Sequence, residues 1–119
     1  MKEKVVQAKS FAFAVRIVKL YKHLSEKKRE FVLSKQLLRS GTAIGALVRE
    51  ADQAESKPDF VHKMAIALKE ANETEYWILL LQETGYMTTA EAESILADNR
   101  ELLKLLTSII NSTKRGTVH

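Results

Sequence analysis

Only three short stretches interrupt the helical periodicity of this chain, "SEKKRE" at 25–30, "ESKPD" at 55–59 and "TGYMTT" at 84–89, and that punctuation limits it to four long helices. Before the first break, Val6, Phe13, Ile17, Leu20 and Leu24 recur at helical spacing, with Lys9, Arg16, Lys19, Lys22 and His23 on other faces. That pattern predicts an amphipathic helix over residues 4–25. A second stripe, Leu33, Leu37, Ser40, Ile44, Leu47 and Ala51, predicts a helix over 31–54. Ser56 is placed to cap the next one, with Pro58 in its first turn and Asp59 three residues on, and Phe60, Met64, Ala67, Leu68, Ala71, Ile78 and Leu81 extend it over 57–84. Gly85 suits the left-handed position that ends a helix. Thr88 and Glu91 form a capping box for a fourth helix over 89–114, and the tail "RGTVH" is expected to fray. With a single proline and no strand-like segment, short connections make successive helices antiparallel neighbours. The expected fold is all-α, an antiparallel up-and-down four-helix bundle forming one domain over 1–119.

One local feature opposes that reading. Gly41 and Gly45 fall inside the second helix, where each glycine costs about 1 kcal/mol relative to alanine. Spaced four apart they share a face, and small residues there let another helix backbone approach closely, so dispersion contacts offset the propensity loss. Arg39, Arg49 and Glu50 rule out the membrane use of this spacing, and the neighbour is either another helix of the same chain or another subunit. A second feature bears on self-association. "LLKLLTSII" in the last helix and "YWILLL" in the third carry more apolar residues than one bundle seam requires, which points to a self-associating surface or to a broad core face.

Composition removes several functions. There is no cysteine, so disulfides, thiolate nucleophiles and cysteine metal sites are excluded. No signal-peptide pattern and no membrane-spanning run is legible, and the expected location is the cytoplasm, with no membrane partner. The net charge is +4, unevenly spread: residues 1–30 hold nine Lys/Arg against three acids, whereas residues 58–85 hold two against five. Lys9, Arg16, Lys19, Lys22, Lys27, Lys28, Arg29 and Arg39 are therefore the candidate contacts to nucleic-acid phosphate, the alternative being a solvated face. No aromatic interleaves them apart from Tyr21, so base stacking on single strands is not expected.

Catalytic chemistry is not legible. Asp59-x-x-His62 lacks the second Glu-x-x-His pair that a di-metal bundle requires, and no metal or other cofactor is expected. Glu70, Glu73 and Glu75 read as carboxylates solvated or paired to a neighbouring helix rather than as an acid/base set. One enzymatic alternative stands. Arg16-x6-His23 is similar to the arginine–histidine spacing of some small helical-bundle ribonucleases, although in those the motif lies late in the chain.

Taken together, "LSKQLLRSGTAI" (33–44), Glu50, "SKPDF" (56–60), "IALKEANETEYWILLLQETGY" (66–86) and the leucine-rich last helix resemble the four helix bundle family that includes proteins encoded in the intervening sequences of bacterial 23S rRNA genes. The resemblance covers roughly residues 11–112. Its most specific parts are Gln36, Leu37 and Arg39, then Ser56, Asp59 and Phe60, then Glu73, Glu75, Tyr76, Gly85 and Tyr86. It implies a ring-like homo-oligomer, a pentamer, with a non-enzymatic role. It also implies kinship with the accessory proteins of diversity-generating retroelements, which look like basic rings that bind reverse transcriptase and nucleic acid. Where members commonly carry an Asn and an Asn-x-x-Glu-Gly stretch, this chain has Leu47, Glu50 and Ala51 and keeps only the acid. The expected function is thus a non-catalytic homo-oligomer that binds RNA, DNA, or a reverse transcriptase or ribosome-associated protein. A scaffold for protein partners is the alternative, and the ribonuclease a more distant one.

Overall fold

The computed structural model describes residues 2–116, which form α1 (Lys2–Glu26), α2 (Leu33–Ala51), α3 (Lys57–Glu83) and α4 (Thr89–Lys114). Backbones approach one another around a ring, α1 to α2, α2 to α3, α3 to α4 and α4 back to α1, while the diagonal pairs stay apart. The described residues build a four-helix bundle some 46 Å long and about 20 Å across, so its two ends are separate surfaces. The α1–α2 and α3–α4 turns lie at one end, and the α2–α3 turn lies at the other. Thr117–His119, most of the segment expected to fray, lie outside the described residues.

The caps explain where the chain turns. Ser56 accepts a hydrogen bond from the Asp59 amide at 3.1 Å, and Thr88 and Glu91 close a reciprocal box. Gly85, at φ 88°, ends α3, and the Tyr86 amide beyond it donates to the Leu81 carbonyl at 2.9 Å. The start of α2 uses a device the sequence did not reveal. Val32 sits at the capping position with no side-chain bond of its own, and the Glu30 carboxylate instead accepts from the amides of Val32, Leu33 and Ser34 at 3.1, 2.9 and 2.6 Å. That turn occupies residues expected to be helical, so α2 begins at Leu33 rather than at 31. Arg29 precedes the cap at φ 58°, a left-handed conformation that reverses the chain, with its guanidinium 5.5 Å from the Phe31 ring centre.

One apolar core runs through the bundle. Phe13, Ile17 and Leu24 of α1, Leu37 and Ile44 of α2, Met64, Ile78 and Leu81 of α3, and Leu102, Leu106 and Ile109 of α4 are all buried in it. The glycines of α2 face α1 of the same chain. A Cβ at Gly41 would lie 2.8 Å from Ile17 Cγ1 and 2.9 Å from Cγ2 and Cδ1, and one at Gly45 would lie 3.2 Å from the Ser10 carbonyl oxygen. Contact at Gly45 is therefore helix backbone against helix backbone. The other interfaces add polar ties. Thr74 donates to Ser40 at 3.0 Å across the α2–α3 seam, and the fully buried Asn99 donates to the Ala71 carbonyl at 2.9 Å across the α3–α4 seam.

Gly41→Ala tests the close approach. Ile17 is fully buried, and three of its side-chain atoms crowd the site. Alanine should therefore lower the unfolding free energy by about 1–3 kcal/mol through overpacking, despite its better helix propensity. Urea titration should also find the loss smaller in an Ile17→Ala background. A second prediction concerns the α2 cap. Burial is the largest influence on the Glu30 carboxyl and pushes its pKa up, but the amides of Leu33, Ser34 and Val32 and the Ser34 side chain outweigh it and hold the group below its ordinary 4.5. A depressed folded pKa stabilises the fold above the unfolded value and loses that contribution as pH falls through the folded one. Glu30→Gln should thus cost about 1–2 kcal/mol at neutral pH, and the gap to the parent protein should narrow below pH 4.5.

Candidate functional site

The residues expected to contact phosphate divide into two groups. Arg16 donates to Asp98 at 2.7 Å and to the Ser94 hydroxyl at 3.0 Å, and Lys9 pairs with Glu101 at 3.1 Å, so both tie α1 to α4. Arg39 ties α2 to α3 through Glu70, at 3.5 Å, and Glu73, which also accepts from the Trp77 indole at 3.0 Å. Lys19, Lys22, Lys27 and Lys28 form no ion pair among the described residues, and all four are exposed. With Arg29 they occupy the last turns of α1 and the α1–α2 turn, at one end of the bundle.

The acidic cluster of α3 is likewise used in packing. Glu70 and Glu73 hold Arg39, and Glu75 accepts from Arg100 of α4 at 3.1 Å. Among the described residues no three metal-ligating side chains converge. Asp59 accepts from the Glu55 amide at 3.2 Å, closing the turn before α3, while His62 is exposed. Arg16 and His23 stand two helical turns apart, about 10 Å along α1, with the guanidinium already engaged by Asp98 and Ser94.

Where α1 passes the start of α4, the two helices leave a groove of about 550 Å³. Arg16, Lys19 and His23, spaced i, i+3 and i+7, form its α1 wall. Leu20, Met87 and Ile95 make its floor, and Ala90, Glu91 and Ser94 the opposite wall. Glu91 is already committed to its cap. The bond from the Thr88 amide is the chief reason its pKa lies below the ordinary value, with the fields of His23 and Lys28 adding to it.

The exposed apolar residues fall only partly where the sequence placed the surplus. In α4, Leu102, Leu106, Ile109 and Ile110 are buried and Leu103 and Leu105 partly so, which absorbs most of "LLKLLTSII" into the chain's own core. In α3, Tyr76 and Leu79 remain outside, with Tyr76 edge-on to Trp77 at 5.0 Å between ring centres. The larger outward set lies on α1: Val5, Phe11, Val15 and Val18, of which Phe11 is 64% exposed. Helical spacing places Phe11, Val15 and Val18 opposite the buried stripe of Val6, Phe13, Ile17 and Leu24, with Val5 on the flank between, so α1 is apolar on two faces. Such a double face has weak amphipathic contrast, which is why the periodicity showed only the inward stripe. Beside Phe11, the small residues Ala14, Thr42, Gly45 and Ala46 form a cleft of about 320 Å³ between α1 and α2.

No helix of the described residues is long and apolar enough to cross a membrane. The chain is similar to a crystal structure, at 1.70 Å resolution, of a protein of unknown function from the S23 ribosomal protein family of Bacteroides thetaiotaomicron. The two share 60% sequence identity with a TM-score of 0.93, over 93% of this chain and 99% of the other. A comparison with curated proteins gives no match. The four-helix architecture, the arginine and glutamate clamps built from the motif residues of α2 and α3, and a family model that matches residues 2–108 agree: this chain belongs to the 23S rRNA-intervening sequence protein family.

Proposed function

We propose that the protein is a non-catalytic, self-associating helical bundle that binds nucleic-acid phosphate through the end bearing Lys19, Lys22, Lys27 and Lys28. The observation that carries this reading is the second apolar face of α1, which runs directly into those unpaired lysines. A helix apolar on two faces is stable in water when both are covered. α1 and α3 are diagonal in the bundle, so the outward residues Phe11, Val15 and Val18 point away from Tyr76 and Leu79. A two-fold dimer would cover one patch twice and leave the other wet. Front-to-back association covers both, and with a rotation between subunits that closes it forms a ring, the kind of assembly the family resemblance implies.

In a ring the four free lysines recur on every subunit at the same end. Each subunit adds phosphate contacts without reading bases, so binding would be strongly salt-dependent and weakly sequence-specific. A second reading, a scaffold for protein partners, draws support from the engagement of Lys9, Arg16 and Arg39 within the chain, which leaves less free charge than the composition suggests.

Two measurements separate these readings. Light scattering should give an oligomer for the parent chain and a smaller species for Phe11→Glu, with helix content unchanged by circular dichroism. A monomeric parent chain would remove the ring. RNA and DNA binding across a salt series should give a steep slope, reduced in magnitude by about 3 per contacting subunit when the four lysines become glutamine. An oligomer that binds no nucleic acid at low salt would leave the scaffold reading in place.

A further inference from the structure

We propose that the α1–α4 groove seats one nucleotide of a single-stranded chain, with its phosphate at Lys19 and His23 and its base on the floor of Leu20, Met87 and Ile95. The inference rests on the nucleic-acid reading above and specifies the strand form that reading leaves open. Volume is the first argument. A cleft of about 550 Å³ holds a nucleotide-sized ligand and falls in the ordinary range for small-molecule sites.

Chemistry is the second. An apolar floor beneath a cationic rim matches a ligand that joins a flat, weakly hydrated ring to a phosphate. Lys19 has no partner among the described residues, and His23 stands one turn beyond it on the same wall. Arg16 differs: held by Asp98 and Ser94, it is a fixed guanidinium edge rather than a free charge. Neither carboxylate nearby is idle, because Asp98 holds Arg16 and Glu91 caps α4. Lys19 is therefore the unpaired cation of the groove, set beside the His23 imidazole and across from the capped Glu91 carboxylate.

The floor answers a point the sequence left unmet. No aromatic platform lies among the basic residues, yet the half-buried Leu20 and the outer edges of the buried Met87 and Ile95 give an aliphatic contact, and a methionine sulfur is a favourable neighbour for a ring. A base reaches that floor only when unstacked and unpaired, which a duplex does not offer. The groove should thus prefer single strands, loops or ends, as RNA-binding surfaces that read bases generally do.

The test compares a fluorescein-labelled single-stranded RNA with a duplex of equal length, binding the intact chain at one salt concentration. Ala90→Trp is the diagnostic variant. Ala90 is exposed on the groove wall, and an indole there fills the floor while leaving every basic residue in place. Expected is a preference of about tenfold for the single strand, lost in Ala90→Trp while duplex binding is unchanged. Circular dichroism and the thermal midpoint establish that the variant is folded, and Ala90→Phe, at the same position, provides a second block of different shape. Equal affinity for both strand forms, unaffected by either variant, overturns the groove assignment and leaves the lysine reading standing. Absence of binding to both RNAs at low salt overturns the two together.

Discussion

The contact between Gly45 and the Ser10 backbone, with Gly41 seated against Ile17, fixes how α1 lies on α2, and the rest of the surface follows from it. Among the described residues no ion pair joins these two helices, whereas each of the other three seams has at least one. Shape has to set the α1–α2 register. Two glycines at i and i+4 bring the backbones together in one alignment, and the dispersion gained there offsets their poor helix propensity. Once α1 is locked at that rotation, its lysine and histidine wall turns toward α4 and Phe11 and Val15 turn to solvent.

Polar groups specify the remaining seams. Arg39 with Glu70 and Glu73, Lys63 with Glu50, Arg100 with Glu75, and Arg16 with Asp98 each join neighbouring helices at the edge of the core. Exposed pairs of this kind contribute little stability, but each demands one partner at one height along the bundle. Asn99 does the same from inside. Its amide nitrogen reaches the Ala71 carbonyl while its carbonyl oxygen has no protein partner, so the group trades stability for a defined α3–α4 register.

Helix number, order and most of the core were legible because they depend on local signals: the 3.6-residue stripe, the Ser56 and Thr88 caps, and Gly85 at the end of α3. The α2 cap was not, because a glutamate acting from three residues before its helix looks like one more charge in a polar run. Surface residues were harder still. Lys9 and Lys19 are indistinguishable in sequence, and only the position of Glu101 on α4 separates a clamp from a free cation. The apolar surplus divided between its two readings, with Tyr76 and Leu79 outside and most of "LLKLLTSII" in the core. Leucines of α4 that looked excessive are covered within the chain's own core, whereas valines of α1 stand outside.

That last contrast links folding to assembly. A bundle helix normally uses its outer face for solubility, and α1 instead places Phe11, Val15 and Val18 there while concentrating its free lysines near its C-terminal end. The two choices are compatible only if different stretches of the helix meet different surroundings. In the ring proposed above, the N-terminal two thirds of α1 would meet a neighbouring subunit, and the last turns would project beyond that contact into solvent. The glycine-controlled rotation would then serve twice, covering apolar surface between subunits and setting the lysines of successive subunits at a common height. A displaced α1 would lose both together, because the same helix carries the interface and the charge.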